Sequence, residues 1–404
     1  MMWIKVAWRN LWRNKIRSGI QFTVIAGAVA LGVIFHNMAI GVYRDMIKQG
    51  IRMGSGHVAI YNEMWFQTRR ASFTFDEEEA IPVVEGLKDV DRYFRRMYIS
   101  GYARSPYGGL PVSITAIDVE KEVKDHPLLR GRKFDGMRDI YIGYKIAERL
   151  KLGEGDKLVV MAAGRDGELT GILFRVRGIL RTGLDEVDCC GAFARLDYVR
   201  NSLEYGKQLH ELAIFLKGGS PDKLRDYLNG VLKSPLRAYT WKEAMKELAS
   251  AITLDYTGLI FFMLFLYIVI TVGTVNVLFM SVMDRTREFG ILRAVGMKRK
   301  QIEYMLFTEG LLLGVSASLL GLFIALLVNI YLSTHGLDLR IFKKFIGEEG
   351  FSYGGVIIEP VVRSIWEWKG TLGYTLFIIL LSVFASYFPA RWINRKDVAQ
   401  LLRS

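Results

Sequence analysis

The sequence has few of the residues that catalytic and metal sites require. It contains two cysteines, Cys189 and Cys190, and because they are adjacent, only a strained eight-membered ring would join them. This excludes an ordinary disulfide framework. We interpret the pair as two small, partly buried side chains, with a redox or metal role as the alternative. The five histidines show no HExxH or other paired metal-ligand spacing.

Phosphate-binding and nucleophile motifs are missing as well. No GxxxxGK[ST] loop occurs, so the chain lacks the motif that cradles ATP phosphates, and Gly54-Ser55-Gly56 is not a GxSxG elbow. We therefore predict that the chain is not an enzyme and binds no metal or cofactor itself. If it performs energy-driven work, a partner must supply the energy.

Charge is absent from four long apolar stretches, which lie at 20–42, 257–283, 310–332 and 371–390. Each is long enough to span a membrane, because a bilayer core of about 30 Å needs roughly 20 helical residues. The remaining 43–256 is far too long for a loop. We predict a membrane protein with four transmembrane α-helices and a large extracytoplasmic mixed α/β domain inserted between helices 1 and 2.

The net charge of +13 is concentrated in three segments. Residues 1–19 carry +5, residues 284–309 carry +2 and residues 391–404 carry +3, whereas 43–256 carries only +3 and the 333–370 loop is neutral. This bias follows the positive-inside rule rather than the pattern of a nucleic-acid-binding protein. We expect both termini and the 284–309 loop in the cytoplasm, and the 43–256 domain and the 333–370 loop outside.

Residues 1–19 predict a helix in the lipid headgroup layer, an interfacial elbow. Basic residues recur every four positions beside a Trp-rich side, which suits such a helix, although a plain positive flank to the first span is the alternative. A cleaved signal peptide is disfavoured because the apolar stretch is longer than a typical h-region. The elbow residues that we single out are Trp8, Arg9, Leu11, Trp12, Arg13 and Arg17.

The 43–256 region has the sequence pattern of an α+β domain on two helical stalks. β-rich runs at 157–162 and 172–180 flank a polar turn and predict a hairpin. Ser220 and the following Pro221 open a predicted helix that runs to about Leu232. Stalks at 43–53 and 241–256 return to the membrane, so the order of elements indicates one module inserted into another.

Small and polar residues inside the spans predict how the helices contact one another. In the third span, Gly314 and Ser318 lie four residues apart, as do Ala317 and Gly321, and that spacing favours close helix contact in a bundle or a dimer. The spans contain no Lys, Arg, Asp or Glu, which argues against ion-coupled transport. We expect His36 to form an interhelical hydrogen bond rather than a proton relay.

The 284–309 loop is the most informative segment. A short, charged helix follows the second span, with Gly296 as its expected C-terminal cap. Such a helix either couples a cytoplasmic partner mechanically to the spans above it or is a basic turn that only fixes the topology. The residues alone leave both interpretations open.

A family resemblance favours the first interpretation. Residues 287–296, REFGILRAVG, resemble the coupling segment of the FtsX/MacB/Lol-type ABC transporter permeases, also called type VII or mechanotransmission ABC proteins. Residues 7–15, AWRNLWRNK, resemble the N-terminal helix of that family, and 388–391, FPAR, with 401–403 resemble its C-terminal signature. The order of one span, a large outer domain and three further spans is also the family's architecture.

The resemblance implies a non-catalytic subunit of the bacterial inner membrane. Its partners would be a cytoplasmic ABC ATPase that binds ATP and Mg, a second permease in a homodimer or heterodimer, and membrane lipids, with lipoprotein cargo or a periplasmic adaptor as further candidates and no nucleic acid. The implied ATPase-coupling residues are Arg287, Glu288, Phe289, Gly290, Ile291, Leu292, Arg293, Ala294 and Gly296, of which Arg287, Glu288, Gly290 and Arg293 are the main expected contacts.

The branch within the family stays open between three functions. Residues 56–60 and 177–188 resemble lipoprotein-releasing, Lol-type permeases, for which Phe35 and Phe262 would line a cradle for acyl chains. The short 162–171 hairpin lacks proline and departs from the extended hairpin of the Lol subunit that docks a carrier. The alternatives are a MacB-like exporter of drugs, peptides or toxins and an FtsX-like transmitter that regulates a hydrolase or kinase.

Overall fold

The structure is a computed structural model that describes Arg9 and residues 15–342, 351–358 and 360–403. The chain divides into two compact units. The helical unit comprises Met1–Tyr43, Leu254–Asp338 and Val361–Ser404, and the α/β unit comprises Arg44–Thr253 and Leu339–Pro360. The predicted fold class is confirmed: the described residues contain four helices long and apolar enough to cross a membrane, with a large α/β domain between the first two.

Long helices dominate the helical unit, and two of them continue into the α/β unit. Their bounds are α1 Lys15–Met53, α10 Lys246–Asp284, α11 Thr286–Ala294, α12 Arg299–Thr334, α13 Trp368–Arg395 and α14 Val398–Arg403. The helix of the first span therefore extends without a break through the predicted stalk at 43–53. The second stalk is interrupted, because Met245 separates a short helix, α9 (Trp241–Ala244), from α10.

Small residues bring α12 close to two other spans. A Cβ atom at Gly314 would lie 2.0 Å from Ser382 Oγ of α13, and one at Gly321 would lie 2.5 Å from the carbonyl oxygen of Ala26 of α1. Ala317 and Ser318, the other two predicted contact residues of this span, are buried as well. The prediction of a packed bundle is confirmed, and the close contacts lie within one chain.

A buried polar cluster joins α1 to the start of α13. His36 Nε2 lies 3.3 Å from Glu367 Oε2, which confirms the predicted interhelical hydrogen bond. The neighbouring Asn37 accepts hydrogen bonds from the Glu367 backbone N–H at 3.1 Å and from Thr371 Oγ1 at 3.4 Å. A Cβ at Gly370 would meet His36 Nε2 at 2.1 Å, so only glycine leaves room for the imidazole there.

The α/β unit contains a nine-stranded sheet, two short strand pairs and short helices. Its strands are β1 Val58–Asn62, β2 Phe75–Asp76, β3 Val90–Ser105, β4 Gly108–Ile117, β5 Asp139–Gly143, β6 Lys157–Ala163, β7 Leu169–Leu180, β8 Gly191–Arg195, β9 Gln208–Leu209, β10 Glu211–Leu216, β11 Leu236–Thr240, β13 Phe351–Tyr353 and β14 Val356–Ile358. Its helices are α2 Glu63–Thr68, α3 Glu77–Glu85, α4 Val119–Glu122, α5 Tyr144–Leu150, α6 Asp185–Cys190, α7 Leu196–Ser202, α8 Pro221–Val231 and α9 Trp241–Ala244. A 3-10 helix, Leu339–Phe342, also belongs to this unit, whereas β12 Leu337–Asp338 and β15 Val361–Val362 pair in the helical unit.

The strand order shows how one module is inserted into another. The main sheet runs β11-β1-β10-β3-β4-β8-β5-β7-β6, and β6 also pairs with β3. The six strands β3, β4, β8, β5, β7 and β6 therefore close into a barrel, which has no free edge where β6 pairs with β3. Strands from both ends of the unit, β1, β10 and β11, extend the sheet from the first half of β3, because β10 pairs with residues 90–96 and β6 with residues 101–104. The core between this sheet and the helices is built from residues such as Ile60, Met97, Ile114, Phe174 and Ile214.

Several predicted elements are confirmed and others were missed. The hairpin predicted at 157–180 is β6 and β7, paired antiparallel from Lys157–Arg175 to Ala163–Leu169, and the predicted helix after Ser220 is α8. The longest strand, β3, was missed, and so was the β13–β14 hairpin, which lies in the predicted 333–370 loop. Arginines interrupt the apolar alternation of β3, and β13 and β14 have only three residues each.

Candidate functional site

The coupling helix α11 is separated from the second span by one residue. Arg285 breaks the helix between α10 and α11, so the short helix that the sequence predicts after the second span is a separate element. At the other end the chain closes the helix in a Schellman motif, with Gly296 N–H bonded to Arg293 O at 3.1 Å and Met297 N–H to Leu292 O at 3.0 Å. Gly296 has φ +105°, which confirms its role in the cap.

A buried ion pair fixes the start of α11. Arg285 Nη1 donates to both oxygens of Glu309 on α12, at 3.0 and 3.2 Å, and its Nε donates to Glu288 Oε2 at 3.3 Å. Arg285 is 8% exposed and Glu309 is 5% exposed. Because removal of one partner would leave a charge buried without compensation, this arginine holds the break between α10 and α11 firmly against α12.

The inner face of α11 contributes to an apolar cluster at the same end of the spans. Phe289 is fully buried, and Leu292 and Met297 pack beside it. The cluster brings together residues of five helices, namely Val282, Phe289, Ile302, Met305, Leu306, Ala390, Ile393 and Leu401. Ala390 and Leu401 belong to the two C-terminal segments that resemble the family signature. These segments therefore pack in the same apolar cluster as α11.

Polar contacts attach α11 and α12 to the end of α13. Arg293 Nη1 donates to the carbonyl oxygen of Lys396, the C-cap of α13, at 2.6 Å. Asn394 Nδ2 donates to Glu303 Oε1 of α12 at 2.7 Å and to Arg299 O at 3.3 Å. The α11 helix therefore packs on the ends of three spans, α10, α12 and α13.

The structure divides the predicted coupling residues into a supporting face and a free face. Phe289 and Gly290 are buried and Leu292 and Arg293 half-buried, so they hold the helix in place, whereas Glu288 is half-buried beside Arg285. Arg287, Ile291, Ala294 and Gly296 are exposed. Val295, which is not among the predicted coupling residues, is 84% exposed. Positions 287, 291 and 295 recur every four residues and form one helix face.

The predicted elbow helix lies mostly outside the described residues. Trp8, Leu11, Trp12 and Arg13 are not among them. Arg9 is helical and exposed, and Arg17 lies within α1. The elbow therefore stays a prediction.

The two predicted cradle residues lie in one groove between α1 and α10. Phe35 and Phe262 are each about half exposed, and they line a groove of about 360 Å³ together with Met38, Ala39, Val42, Tyr43, Asp255, Gly258 and Leu259. A polar pair stands at one end of it, where Tyr43 Oη donates to Asp255 Oδ2 at 2.7 Å. The groove thus offers an apolar lining with one acidic group.

Comparison with known proteins identifies the chain. Residues 260–398 match the model of the FtsX-like permease C-terminal family. The ABC transporter permease MJ1507 of Methanocaldococcus jannaschii is 23% identical over 426 residues, which are 99% of this chain and 97% of that protein. The protein has an FtsX-like permease domain, and its relatives are ABC transporter permeases. Such permeases are normally non-catalytic, and the family implies a partnering ATPase subunit.

Two further relatives of this permease have functions in their names. The pyoverdine export ATP-binding/permease protein PvdT of Pseudomonas fluorescens is 22% identical over 99% of this chain, but the chain spans only 59% of PvdT. The lipoprotein-releasing system transmembrane protein LolE of Haemophilus influenzae is 24% identical over 67% of this chain and 66% of LolE.

Proposed function

We propose that this permease transmits force from a separate cytoplasmic ATPase to lipidated cargo at the outer face of the cytoplasmic membrane. ATP and Mg would bind to the ATPase and not to this chain. In the proposed orientation both termini and α11 face the cytoplasm and the α/β unit lies outside. The excess of basic residues at 1–19, 284–309 and 391–404 supports this orientation.

The free face of α11 is the proposed ATPase contact. Arg287, Ile291 and Val295 supply one charge and two exposed apolar side chains on a helix whose other side is held by Phe289 and Arg285. A rigid helix with an unpartnered face suits mechanical coupling, because a push on it moves the ends of α10, α12 and α13 rather than bending the helix. Two such permeases, identical or related, would pair in the complex.

Affinity purification tests the docking face. Val295→Asp places a charge at the exposed C-cap residue of α11, and we expect the ATPase subunit to be lost while the permease still inserts into the membrane. Leu169→Asp is the matched control, because Leu169 is 73% exposed and lies in the β6–β7 hairpin. Equal ATPase recovery from both variants and the wild type would contradict the proposed contact.

The groove between α1 and α10 is the proposed place for acyl chains. Phe35 and Phe262 provide the apolar lining, and Tyr43 with Asp255 can hydrogen-bond a polar head at the groove's end. Each CH₂ group that leaves the bilayer costs about 0.8 kcal/mol unless it is buried again. A groove that receives these groups lowers the energy that the ATPase must supply.

Photo-crosslinking distinguishes cargo from bulk lipid. A photoreactive amino acid at Phe262 should capture lipoprotein, and the same group at Phe261 should not, because Phe261 is 67% exposed but does not line the groove. Capture of phospholipid alone at position 262, or equal capture of lipoprotein at both positions, would contradict the cargo assignment.

Export of a non-lipidated compound is the second candidate. Its support is that the alignment with PvdT covers nearly all of this chain, whereas the alignment with LolE covers two thirds. Reconstitution of the permease and its ATPase with a lipoprotein in the bilayer separates the two functions. Lipoprotein-stimulated ATP hydrolysis supports release, and a rate that responds only to a soluble compound supports export.

A further inference from the structure

The two cysteines of the chain lie together at the end of a short helix in the α/β unit. Cys189 and Cys190 are the last residues of α6, and both are partly exposed. Their Sγ atoms are 2.6 Å apart, against about 2.05 Å in a formed disulfide. Both side chains therefore point to the same side of the chain, which adjacent residues in a strand do not do.

The surrounding structure holds this turn in place. The carboxylate of Asp188, which is 2% exposed, accepts hydrogen bonds from the Thr182 N–H at 2.9 Å and the Gly183 N–H at 2.8 Å. On the other side, a Cβ at Gly143 would lie 2.2 Å from Val187 O, so β5 closely approaches α6. The thiol pair is thus presented on a fixed support, and little chain entropy opposes closure of a ring between them.

A ring between adjacent cysteines differs from a structural disulfide. Neighbouring Cα atoms are about 3.8 Å apart, which is shorter than the range of about 4.4–6.8 Å seen in ordinary disulfides. Strain of this kind makes the bond easier to reduce, and easily reduced disulfides are the labile or regulatory ones. A ring at this position would therefore open and close with the redox state of its surroundings.

We propose that Cys189 and Cys190 form a reversible dithiol–disulfide redox site whose reaction partner is an external disulfide. One thiolate attacks a sulfur of that disulfide, which releases one thiolate and leaves a mixed disulfide on the permease. The second cysteine attacks the Sγ atom of the first cysteine in this mixed disulfide, which breaks its bond to the external sulfur, closes the ring and releases the second thiolate. The two protons of the cysteines pass to the two released thiolates, so the permease loses two electrons and the external disulfide gains them.

The contact between the cysteines also affects the reactivity of Cys190. Hydrogen bonding to Cys189 raises the pKa of the Cys190 thiol, with partial burial as the second cause. Because the thiolate is the nucleophile in exchange, the raised pKa lowers the fraction of Cys190 that can attack a disulfide at neutral pH.

Mass measurement on the purified full-length chain in detergent tests the site. After incubation with oxidised glutathione, we expect the wild type to lose two hydrogens and both titratable thiols, without a lasting adduct, and dithiothreitol to reverse the change. Cys190→Ser should instead keep one glutathione, since no resolving thiol remains. A stable glutathione adduct on the wild type, or no reaction under conditions that oxidise free dithiothreitol, would overturn the proposal.

Which side of the membrane supplies the external disulfide depends on the proposed orientation of the permease, and a separate experiment tests that orientation. A membrane-impermeant maleimide added to intact, reduced cells with a permeable outer envelope should label the wild type, whereas the double variant Cys189→Ser/Cys190→Ser should stay unlabelled. Labelling only after lysis would overturn the orientation. The mass measurement would still decide the redox site, so the two failures are distinguishable.

Discussion

Two buried arginines lie beside the ends of the two long helices that extend between the units, and their surroundings differ. In the α/β unit, Arg96 of β3 is bonded to Glu122 at 2.8 Å, lies 3.6 Å from Glu211 and donates to Gly54 O just after α1. In the helical unit, Arg285 just after α10 binds Glu309 and the half-exposed Glu288. The first arginine is sealed in the core, whereas the second keeps one partner at the surface.

The difference indicates how firmly each helix end is held. Tyr61 Oη donates to Glu211 at 2.8 Å and Tyr98 Oη also donates to it, so the carboxylate beside Arg96 has further partners inside the core. Such a network fixes the end of α1 to the sheet. Glu288 beside Arg285 is about half exposed, so the ion-pair network at the start of α11 reaches the surface. Four predictions test this comparison.

Loss of Arg96 should have the largest effect. Arg96→Ala leaves Glu122 and Glu211 buried without a cation, and we expect the free energy of unfolding of the α/β unit to fall by about 4 kcal/mol. Pulse proteolysis with cleavage sites assigned to the α/β unit measures this. Arg92→Ala is the control, because the side chains of both of its acidic partners, Asp91 and Asp125, are more than a third exposed and such pairs contribute less than about 1 kcal/mol each. Similar losses in the free energy of unfolding for the two variants would contradict a larger contribution from the buried arginine.

Loss of Arg285 should have a smaller effect on stability and a specific effect on coupling. Arg285→Ala leaves Glu309 buried but frees Glu288 to water, so we expect a loss of about 3 kcal/mol in the helical unit. ATP hydrolysis by the complex should no longer respond to cargo, since α11 is no longer fixed to α12. If Arg285→Ala retains cargo-stimulated hydrolysis, the ion pair is not part of the coupling path.

Acidification should weaken the α/β unit. Burial lowers the pKa of His210 to about 4 and that of His126 to about 3, the latter also because of the charge of Arg96. Between these values and the unfolded value of about 6.5, the unfolded chain binds more protons, so stability falls as the pH falls.

For His210 alone the loss from pH 6.5 to 5 is about 1.6 kcal/mol. The pH dependence of pulse proteolysis measures it, and His210→Gln should have a shallower slope over that window whatever its stability at neutral pH. The 284–309 segment contains no histidine, so proteolysis near α11 should change less. An unchanged slope in His210→Gln would refute the assignment to this residue.

The surface partner of Arg285 should matter least for folding and most for docking. Glu288→Lys adds a cation beside Arg285 at a half-exposed position, so we expect a stability change of less than about 1 kcal/mol. The ATPase should no longer co-purify, because the variant reverses a charge beside the free face of α11. Normal insertion with unchanged ATPase recovery would remove Glu288 from the proposed contact.

Sequence patterns predicted the features that repeat locally and missed those that depend on distant residues. The four spans, the α11 cap at Gly296 and the β6–β7 hairpin follow from periodicity and turn residues. The Arg285–Glu309 pair joins positions 24 residues apart, and no local signal connects them. Strand β3 was missed for the same reason, since Arg95 and Arg96 fit a sheet only because Asp118 and Glu122 neutralise them.

Strand β3 belongs to both the barrel and the outer sheet, and this affects how the α/β unit unfolds. Residues 90–96 of this strand pair with β10, whereas residues 96–105 pair with β4, so a single continuous backbone serves both the barrel and the outer sheet. Neither module keeps its sheet intact once that backbone detaches. Calorimetry of the α/β unit should therefore record one heat-absorption peak, and a protein cut between the two modules should not recover two independently folding fragments.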